Sequence, residues 1–339
     1  MRRKNLLYLG NALSHNGITV TTIDTLSRQL RAEGYEVTVA SSFKNKGLRM
    51  LDMLWRVFKH RTKVDVVLID TYSTTNYWYA VFVAKLCRRF KLPYIPILHG
   101  GNLPERLKSN PSTSKALFGK AFMNVAPSGY LYEAFMQAGF TNLKEIPNTI
   151  DISEYPFKER KHVGPKLLWV RSFAEIYNPI LALKVLQILR RTYPDASLCM
   201  VGPEKDESYV ACQTFAQEQQ LPVTFTGKLT KAEWVLLSRD NDLFINTTNF
   251  DNTPVSVIEA MALGLPVVST NVGGLPYLLN DRENALLVTP DNEEGMIEAI
   301  SELLQNEILA YQLALAARSK AEGFDWENVK SYWNELLST

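Results

Sequence analysis

Cysteine is scarce in this chain: 339 residues hold three, Cys87, Cys199 and Cys212, and no two stand at CxxC spacing. That excludes a disulfide framework and a four-cysteine zinc site, and leaves buried thiols in a reducing compartment as the expectation. Histidine is almost as rare, with four residues and none at HxxxH spacing, so no His-based metal site is expected. No apolar run approaches the roughly 18 residues of a membrane-spanning helix. The longest, Tyr77 to Ala84, ends at Lys85. Met1-Arg2-Arg3-Lys4 is basic like the start of a secretory leader, but the apolar stretch Leu6 to Leu9 is too short to complete one. A cytoplasmic protein is therefore expected. Three signatures are also missing: GxGxxG after Leu9, the GxxxxGK[ST] phosphate loop, and the GxSxG elbow that an esterase-like His99-Gly100-Gly101 would need. Nor does one charge dominate: 37 Lys and Arg against 35 Asp and Glu leave a net of +2, which does not point to nucleic acid.

Apolar material is plentiful, at 46% of residues, which excludes disorder. A chain of 339 residues exceeds what one core usually serves, so two domains are expected. Short, nearly continuous apolar runs read as parallel strands covered on both faces at residues 5–9, 37–40, 64–69, 94–98, 122–126 and 143–146. Helical patterns separate them. The first carries Val20, Ile23, Leu26 and Leu30 on one stripe and stops at Gly34. The rhythm restarts with strands at 167–170, 197–201, 223–226, 243–246, 266–269 and 285–288, and the chain ends in helices at 293–304, 307–321 and 326–337. Two βα arrays in tandem predict an α/β protein with two doubly wound sheets facing a cleft. The polar, aperiodic stretch 153–165 reads as the hinge.

The small net charge conceals a division. Residues 1–162 carry 24 Lys and Arg against 12 Asp and Glu, a net of +12; residues 163–339 carry 13 against 23, a net of −10. Much of the basic excess falls between Phe43 and Lys63, where seven cations face the single acid Asp52. Leu48, Leu51, Leu54, Trp55 and Phe58 sit there at helical spacing. A basic amphipathic helix with an aromatic face is compatible with an anionic membrane, and equally with an ordinary helix packed on its own sheet. Lys85, Arg88, Arg89 and Lys91 form a second basic cluster.

The stretch richest in chemistry runs from Asn249 to Ala262, after the strand at 243–246 and into a helix. Thr253 is predicted as its N-cap and Pro254 as its first residue. Such a helix start points free N–H groups and a positive dipole end at the carboxyl edge of a parallel sheet, a ready phosphate site. Asp251 and Glu259 put one carboxylate in the loop and one in the helix. Two ordinary readings compete: Ser256-x-x-Glu259 matches a capping box, and Asp251 alone suits a turn.

Asp251-x7-Glu259, followed by Ala260-Met261-Ala262-Leu263-Gly264-Leu265-Pro266-Val267-Val268, resembles the E-x7-E region of the retaining glycosyltransferases of family 4, which have the GT-B fold. Asn271-Val272-Gly273-Gly274-Leu275-Pro276 resembles the next block of that family. Ile146-Pro147-Asn148-Thr149-Ile150-Asp151, Val201-Gly202-Pro203-Glu204 and Phe225-Thr226-Gly227-Lys228-Leu229 resemble others. The resemblance covers nearly the whole second half and, loosely, the first. It implies a basic first domain, residues 1–160, for the acceptor and an acidic second domain, residues 165–322, for the nucleotide-sugar. A last helix, residues 323–339 with Trp326 and Trp333, would cross back onto the first domain. It implies hexosyl transfer with retention from a UDP- or GDP-type nucleotide-sugar to a glycan, lipid-linked or other acceptor, in bacterial cell-surface polysaccharide or glycolipid synthesis. No metal and no cofactor beyond the donor would be needed.

By position in that resemblance, Glu259 matches a ligand of the ribose hydroxyls. Asp251 and His99 match the groups that orient the donor sugar. The backbone of Asn252, Thr253, Pro254 and Val255 lies where the diphosphate or sugar binds. Gly17, Arg171, Ser172, Gly202 and Lys228 fall in donor-contacting blocks, and Asn16, Gly100 and Gly101 on the acceptor side. One departure stands out. Family members commonly carry Gly-Arg, three or four residues, then Lys, a clamp on the leaving diphosphate. Aligned on Asn178-Pro179, Ser172 stands at the Arg position and Tyr177 at the Lys position. Arg171 comes one residue early, a step that turns a strand side chain to the opposite face. Either Arg171 reaches the site from a new angle, or the helix dipole and backbone donors carry the charge, or activity is impaired. Asp240-x-Asp242 resembles the metal-binding DxD of another glycosyltransferase class, but it precedes a strand and so lies at the wrong end of the sheet. A GT-B-fold sugar-nucleotide epimerase and a non-catalytic sugar-nucleotide-binding partner subunit stay open as alternatives. The basic first half adds the expectation of peripheral contact with the inner face of the plasma membrane through Phe43 to Lys63.

Overall fold

Apolar runs in the first half of the chain pair into one parallel sheet, and those in the second half into another. The computed structural model describes residues 3–12 and 21–338; Asn16, Gly17 and the helix residue Val20 lie outside them. The chain forms two compact units, one of Met1–Thr149 with Trp326–Thr339 and a second of Ile150–Asp325.

In the first unit, β1 (Asn5–Leu9), β2 (Glu36–Ala40), β3 (Val66–Thr71), β4 (Tyr94–Leu98), β5 (Asn124–Ala126) and β6 (Leu143–Glu145) lie in the order β2-β1-β3-β4-β5-β6. Helices α1 (Thr22–Ala32), α2 (Lys46–His60), α3 (Tyr77–Arg89), α4 (Leu103–Ser109), α5 (Pro111–Phe118) and α6 (Gly129–Gln137) connect them. β3 and β4 are buried at every position, as strands covered on both faces must be. Leu7, Leu9 and Val67 enter one core with α2 and α3, while Leu6, Tyr8 and Leu68 enter another with α1. The strand order reverses between β1 and β3, the switch point of a doubly wound sheet, where the connections diverge and leave a crevice at the carboxyl ends.

In the second unit, β7 (Lys166–Val170), β8 (Ser197–Val201), β9 (Val223–Gly227), β10 (Leu243–Asn246), β11 (Val267–Thr270) and β12 (Leu286–Val288) lie in the order β12-β11-β10-β7-β8-β9. Here the switch point falls between β7 and β10. Helices α7 (Pro179–Leu189), α8 (Ser208–Glu218), α9 (Lys231–Leu237), α10 (Val255–Ala262), α11 (Leu275–Leu278), α12 (Glu293–Gln305) and α13 (Glu307–Glu322) cover both faces. The stretch expected as a hinge, 153–165, belongs to this unit. Tyr155 is fully buried, and the buried Arg160 guanidinium donates to the carbonyls of Lys158, Ser238, Asn241 and Leu263. Most of its polar residues face solvent, and the buried Tyr155, Arg160 and Val163 are too widely spaced to show as a periodic pattern, which is why the stretch reads as a hinge in the sequence.

The final helix, α14 (Trp326–Ser338), buries Trp326, Val329, Trp333, Leu336 and Leu337 in the first unit's core with Leu6, Tyr8 and Leu68. At about 1.5–3 kcal/mol for each buried side chain, this face outweighs the exposed Lys144–Glu335 ion pair, worth about 0–1 kcal/mol. The three cysteines are free and buried. Among the described residues no helix is long and apolar enough to cross a membrane.

Candidate functional site

The second unit's switch point brings Arg171, which follows β7, to Asp251 in the loop after β10. Arg171 Nη2 donates to Asp251 Oδ2. Its guanidinium carbon lies 4.4 Å from the centroid of the Tyr177 ring, a cation–π stack. Arg171 Nε is buried and has no hydrogen-bond partner among the described residues. The one-residue offset therefore does not turn Arg171 away, because beyond the strand end the pleat no longer dictates direction. Gly202 makes this course possible. A Cβ there would stand 1.8 Å from the Arg171 carbonyl oxygen, so only glycine lets the two backbones pass. Ser172 lies beside the same glycine.

The Asp251 loop is braced in the same way. Asp251 Oδ1 accepts from the Asn252 N–H at 2.9 Å, and the Asp251 carbonyl accepts from the Gly274 N–H at 2.9 Å. A Cβ on Gly273 or Gly274 would come within 2.1 or 1.9 Å of the Asp251 or Asn252 carbonyl oxygen. α10 begins at Val255, with Pro254 in extended conformation at the N-cap. Thr253 is thus not the cap, and its hydroxyl is buried without a partner among the described residues. The start of α10 still leaves the first-turn N–H groups of Val255 and Ser256 without intrahelical acceptors. The capping-box reading of Ser256 and Glu259 also fails, because Glu259 lies more than a turn inside the helix.

Glu259 is buried and turns to two residues the sequence did not flag. Its Oε1 accepts from the Tyr155 hydroxyl at 2.6 Å and pairs with Lys231 Nζ at 3.2 Å. Lys231 also donates to the Tyr155 hydroxyl at 3.1 Å. Burial raises the Glu259 carboxyl above its ordinary value, and Lys231 and Tyr155 offset part of that rise. Burial and the Glu259 charge push the Tyr155 hydroxyl far up, so it stays a donor. Thr230 and Glu233 form a capping box that sets Lys231 at the first position of α9. That local signal was readable; the meeting of residues 155, 231 and 259 was not. Lys228 is exposed after the edge strand β9.

In the first unit, His99 follows β4 and is tied to β3 by its N–H on the Thr71 carbonyl at 2.9 Å. Its Nε2 lies 2.8 Å from Asp70 Oδ1, which also accepts from the Tyr8 hydroxyl at 2.8 Å. The Tyr72 ring packs beside the imidazole, centroids 5.4 Å apart. A Cβ on Gly100 would stand 2.4 Å from the Ser73 N, so this glycine too permits a close backbone approach; Gly101 follows it. Asp70 and Tyr8 were missed in the sequence because each sits inside an apolar strand.

On the same unit, Leu48, Leu51, Trp55 and Phe58 form one stripe of α2 and are all exposed, at 50–65%. They are not core residues; Met53 and Val57 on the opposite side are. Lys59 lies 4.7 Å from the Trp55 ring centroid, and the Arg61 guanidinium 4.2 Å from that of Phe58. Among the described residues no group of three or more His, Cys, Asp or Glu is placed to hold a metal ion.

The comparisons with known proteins fall on this architecture. A family model described as glycosyl transferases group 1 matches residues 151–320, nearly the whole second unit. Glycogen synthase of Mycobacterium tuberculosis is 27% identical over 194 residues, 56% of this chain and 47% of that protein. The matched stretch thus spans about half the length of that curated relative. Among solved structures, sucrose-phosphate synthase from Thermosynechococcus elongatus superposes with a TM-score of 0.81 at 16% identity, covering 98% of each chain. Anabaena HepE in complex with UDP gives 0.79 at 18% identity, covering 98% of this chain and 99% of that one. At such identities the likeness is one of fold, the two-unit α/β architecture of the GT-B class. With the family match over half the chain, it leads to one conclusion: the protein belongs to the glycosyl transferases group 1 family.

Proposed function

We propose that the chain is a retaining family 4 enzyme that moves a hexosyl group from a UDP- or GDP-type donor to a glycan or lipid-linked acceptor, in bacterial cell-surface polysaccharide or glycolipid synthesis. One observation carries this reading: the Arg171 guanidinium stands at the second sheet's switch point, where the α10 N-terminus also opens. Sugar transfer builds charge on a leaving diphosphate, and groups fixed in advance against that charge lower the barrier. A charge-assisted hydrogen bond from a guanidinium is roughly twice as strong as a neutral one, and a helix N-terminus contributes about 0.3–1 kcal/mol more. In this reading those groups replace the usual Arg and Lys clamp and no metal is required. Asn252, Thr253, Pro254 and Val255 line the phosphates, with Ser172, Gly202 and Lys228 around them. Glu259 binds the ribose hydroxyls, and His99 and Asp251 orient the sugar. Gly100 and Gly101 serve the acceptor. That Anabaena HepE was solved with UDP and with UDP-glucose supports a nucleotide-sugar donor.

The acceptor is met at an anionic membrane face. The outward stripe of α2 supports this, since its apolar tips lie beside Arg56, Lys59 and Arg61, in a segment that also carries Lys44, Lys46 and Lys63. Vesicle sedimentation checks it: binding to vesicles with anionic lipid and not to neutral ones is expected, and equal binding to both overturns it. For the donor, a thermal-shift screen with UDP and GDP is the test. A rise in Tm with one of them, lost in E259A, is the expected result. No shift with any nucleoside diphosphate would sink the transfer reading.

A further inference from the structure

The first unit carries a buried acid that the transfer reading leaves unused. Asp70 is the single charged residue of β3, and its side chain is fully buried. Burying a carboxylate is strongly unfavourable unless it is paired and hydrogen-bonded. Here the pairing is incomplete. Among the described residues Oδ1 takes both bonds, from Tyr8 and His99, while the buried Oδ2 has no partner. Oδ2 lies where Gly10 leaves room, since a Cβ on Gly10 would stand 2.3 Å from it. For stability alone, apolar side chains at these positions would serve as well or better. The acid sits instead at the carboxyl end of β3 beside β1, the switch point at which such sheets bind ligands.

We infer that Asp70 is a positioning residue that fixes the tautomer and direction of His99 for a sugar hydroxyl. A carboxylate only accepts, so in the neutral imidazole it holds the proton on Nε2 and leaves Nδ1 as an acceptor. Among the described residues the His99 ring makes one hydrogen bond, through Nε2, and 6% of its side chain remains exposed. Tyr8 holds the carboxylate in turn. Burial and the Asp70 charge push its hydroxyl well above the ordinary value, so it keeps its proton and donates. The identity of the ligand as a sugar rests on the transfer reading; the tautomer does not.

Two measurements separate these parts. In 15N-labelled protein without ligand, two-bond proton–nitrogen correlations read the His99 tautomer. The wild type is expected as Nε2–H, and D70N, whose amide can donate as well as accept, gains the Nδ1–H form. With UDP-glucose and UDP as probes, D70N weakens UDP-glucose binding about tenfold and leaves UDP nearly unchanged. H99A does the same, and the double variant loses little more. Y8F keeps the carboxylate but removes one donor, so it gives a smaller loss of the same kind and serves if D70N does not fold. An unchanged tautomer in D70N, or equal losses for UDP and UDP-glucose, overturns the inference. If neither UDP-glucose nor GDP-glucose binds the wild type, the transfer reading falls and the tautomer alone decides the role of Asp70.

Discussion

The two switch points carry charges opposite to the halves that contain them. The basic half, with a net of +12 over residues 1–162, buries a carboxylate at the end of β3. The acidic half, with a net of −10 over residues 163–339, places a guanidinium at the end of β7. Each is held by residues from other parts of its own unit: Asp70 by Tyr8 and His99, Arg171 by Asp251 and Tyr177. Net charge is a property of exposed side chains and acts over distance in water, where salt screens it. A site charge acts at contact, in a dry setting, and is chosen by its neighbours. An acidic unit can therefore hold a guanidinium at its switch point, paired there with Asp251.

Breaking this contrast in the second unit should have the largest effect. R171M removes the guanidinium and leaves Asp251, half-hidden in its loop, without its partner. UDP affinity is expected to fall about 30- to 100-fold, the equivalent of about 2–3 kcal/mol. By titration calorimetry UMP, which lacks the second phosphate, loses much less; equal losses would show that Arg171 does not face the diphosphate. The glycines compare the two edges next. G273A sets a Cβ 2.1 Å from a backbone oxygen at φ +55, whereas G10A meets a side-chain carboxylate. Urea unfolding should show G273A losing about 1–3 kcal/mol and G10A less, because a side chain yields more readily than backbone.

The acids sharpen the comparison through pH. Burial raises the Glu259 carboxyl, so the folded state holds its proton more tightly than the unfolded state. Its contribution to stability is present below the ordinary carboxylate pKa and is lost as pH rises through the raised folded value. In E259Q that decline between mildly acidic and neutral pH should flatten, measured as Tm against pH. The smallest effect on the fold belongs to the outer face of α2. Trp55→Ser with Leu51→Ser should leave stability within about 0.5 kcal/mol, since both side chains are exposed. Binding to anionic vesicles should nevertheless drop; retained binding would move the membrane contact elsewhere.

Much of the fold was legible because its signals are local. The runs 94–98 and 243–246 are strands at those limits, since a continuous apolar stretch of that length suits a strand covered on both faces. Helix starts were legible to within two residues. α10 begins at Val255 because Pro254 takes the extended cap conformation, which its sequence permits but does not require. The Asp251 loop and Glu259 could be singled out from spacing and resemblance. Their partners could not. Tyr155 and Glu259 are 104 residues apart, and Tyr8 and Asp70 are 62 apart.

By itself, then, the sequence determined two doubly wound sheets, the carboxyl edges to which its candidate residues map, and a strong charge division between its halves. These follow from periodicity, strand length and composition, which act over a few residues at a time. Only the tertiary structure decided that Arg171 turns to Asp251 and Tyr177, that Glu259 meets Tyr155 and Lys231, that Asp70 holds His99, and that Trp55 and Phe58 face outward. Those outcomes depend on which strands become neighbours and on which glycines let backbones pass within contact distance. Burial then makes each pairing compulsory, because a charge removed from water must find a partner wherever the fold has put one.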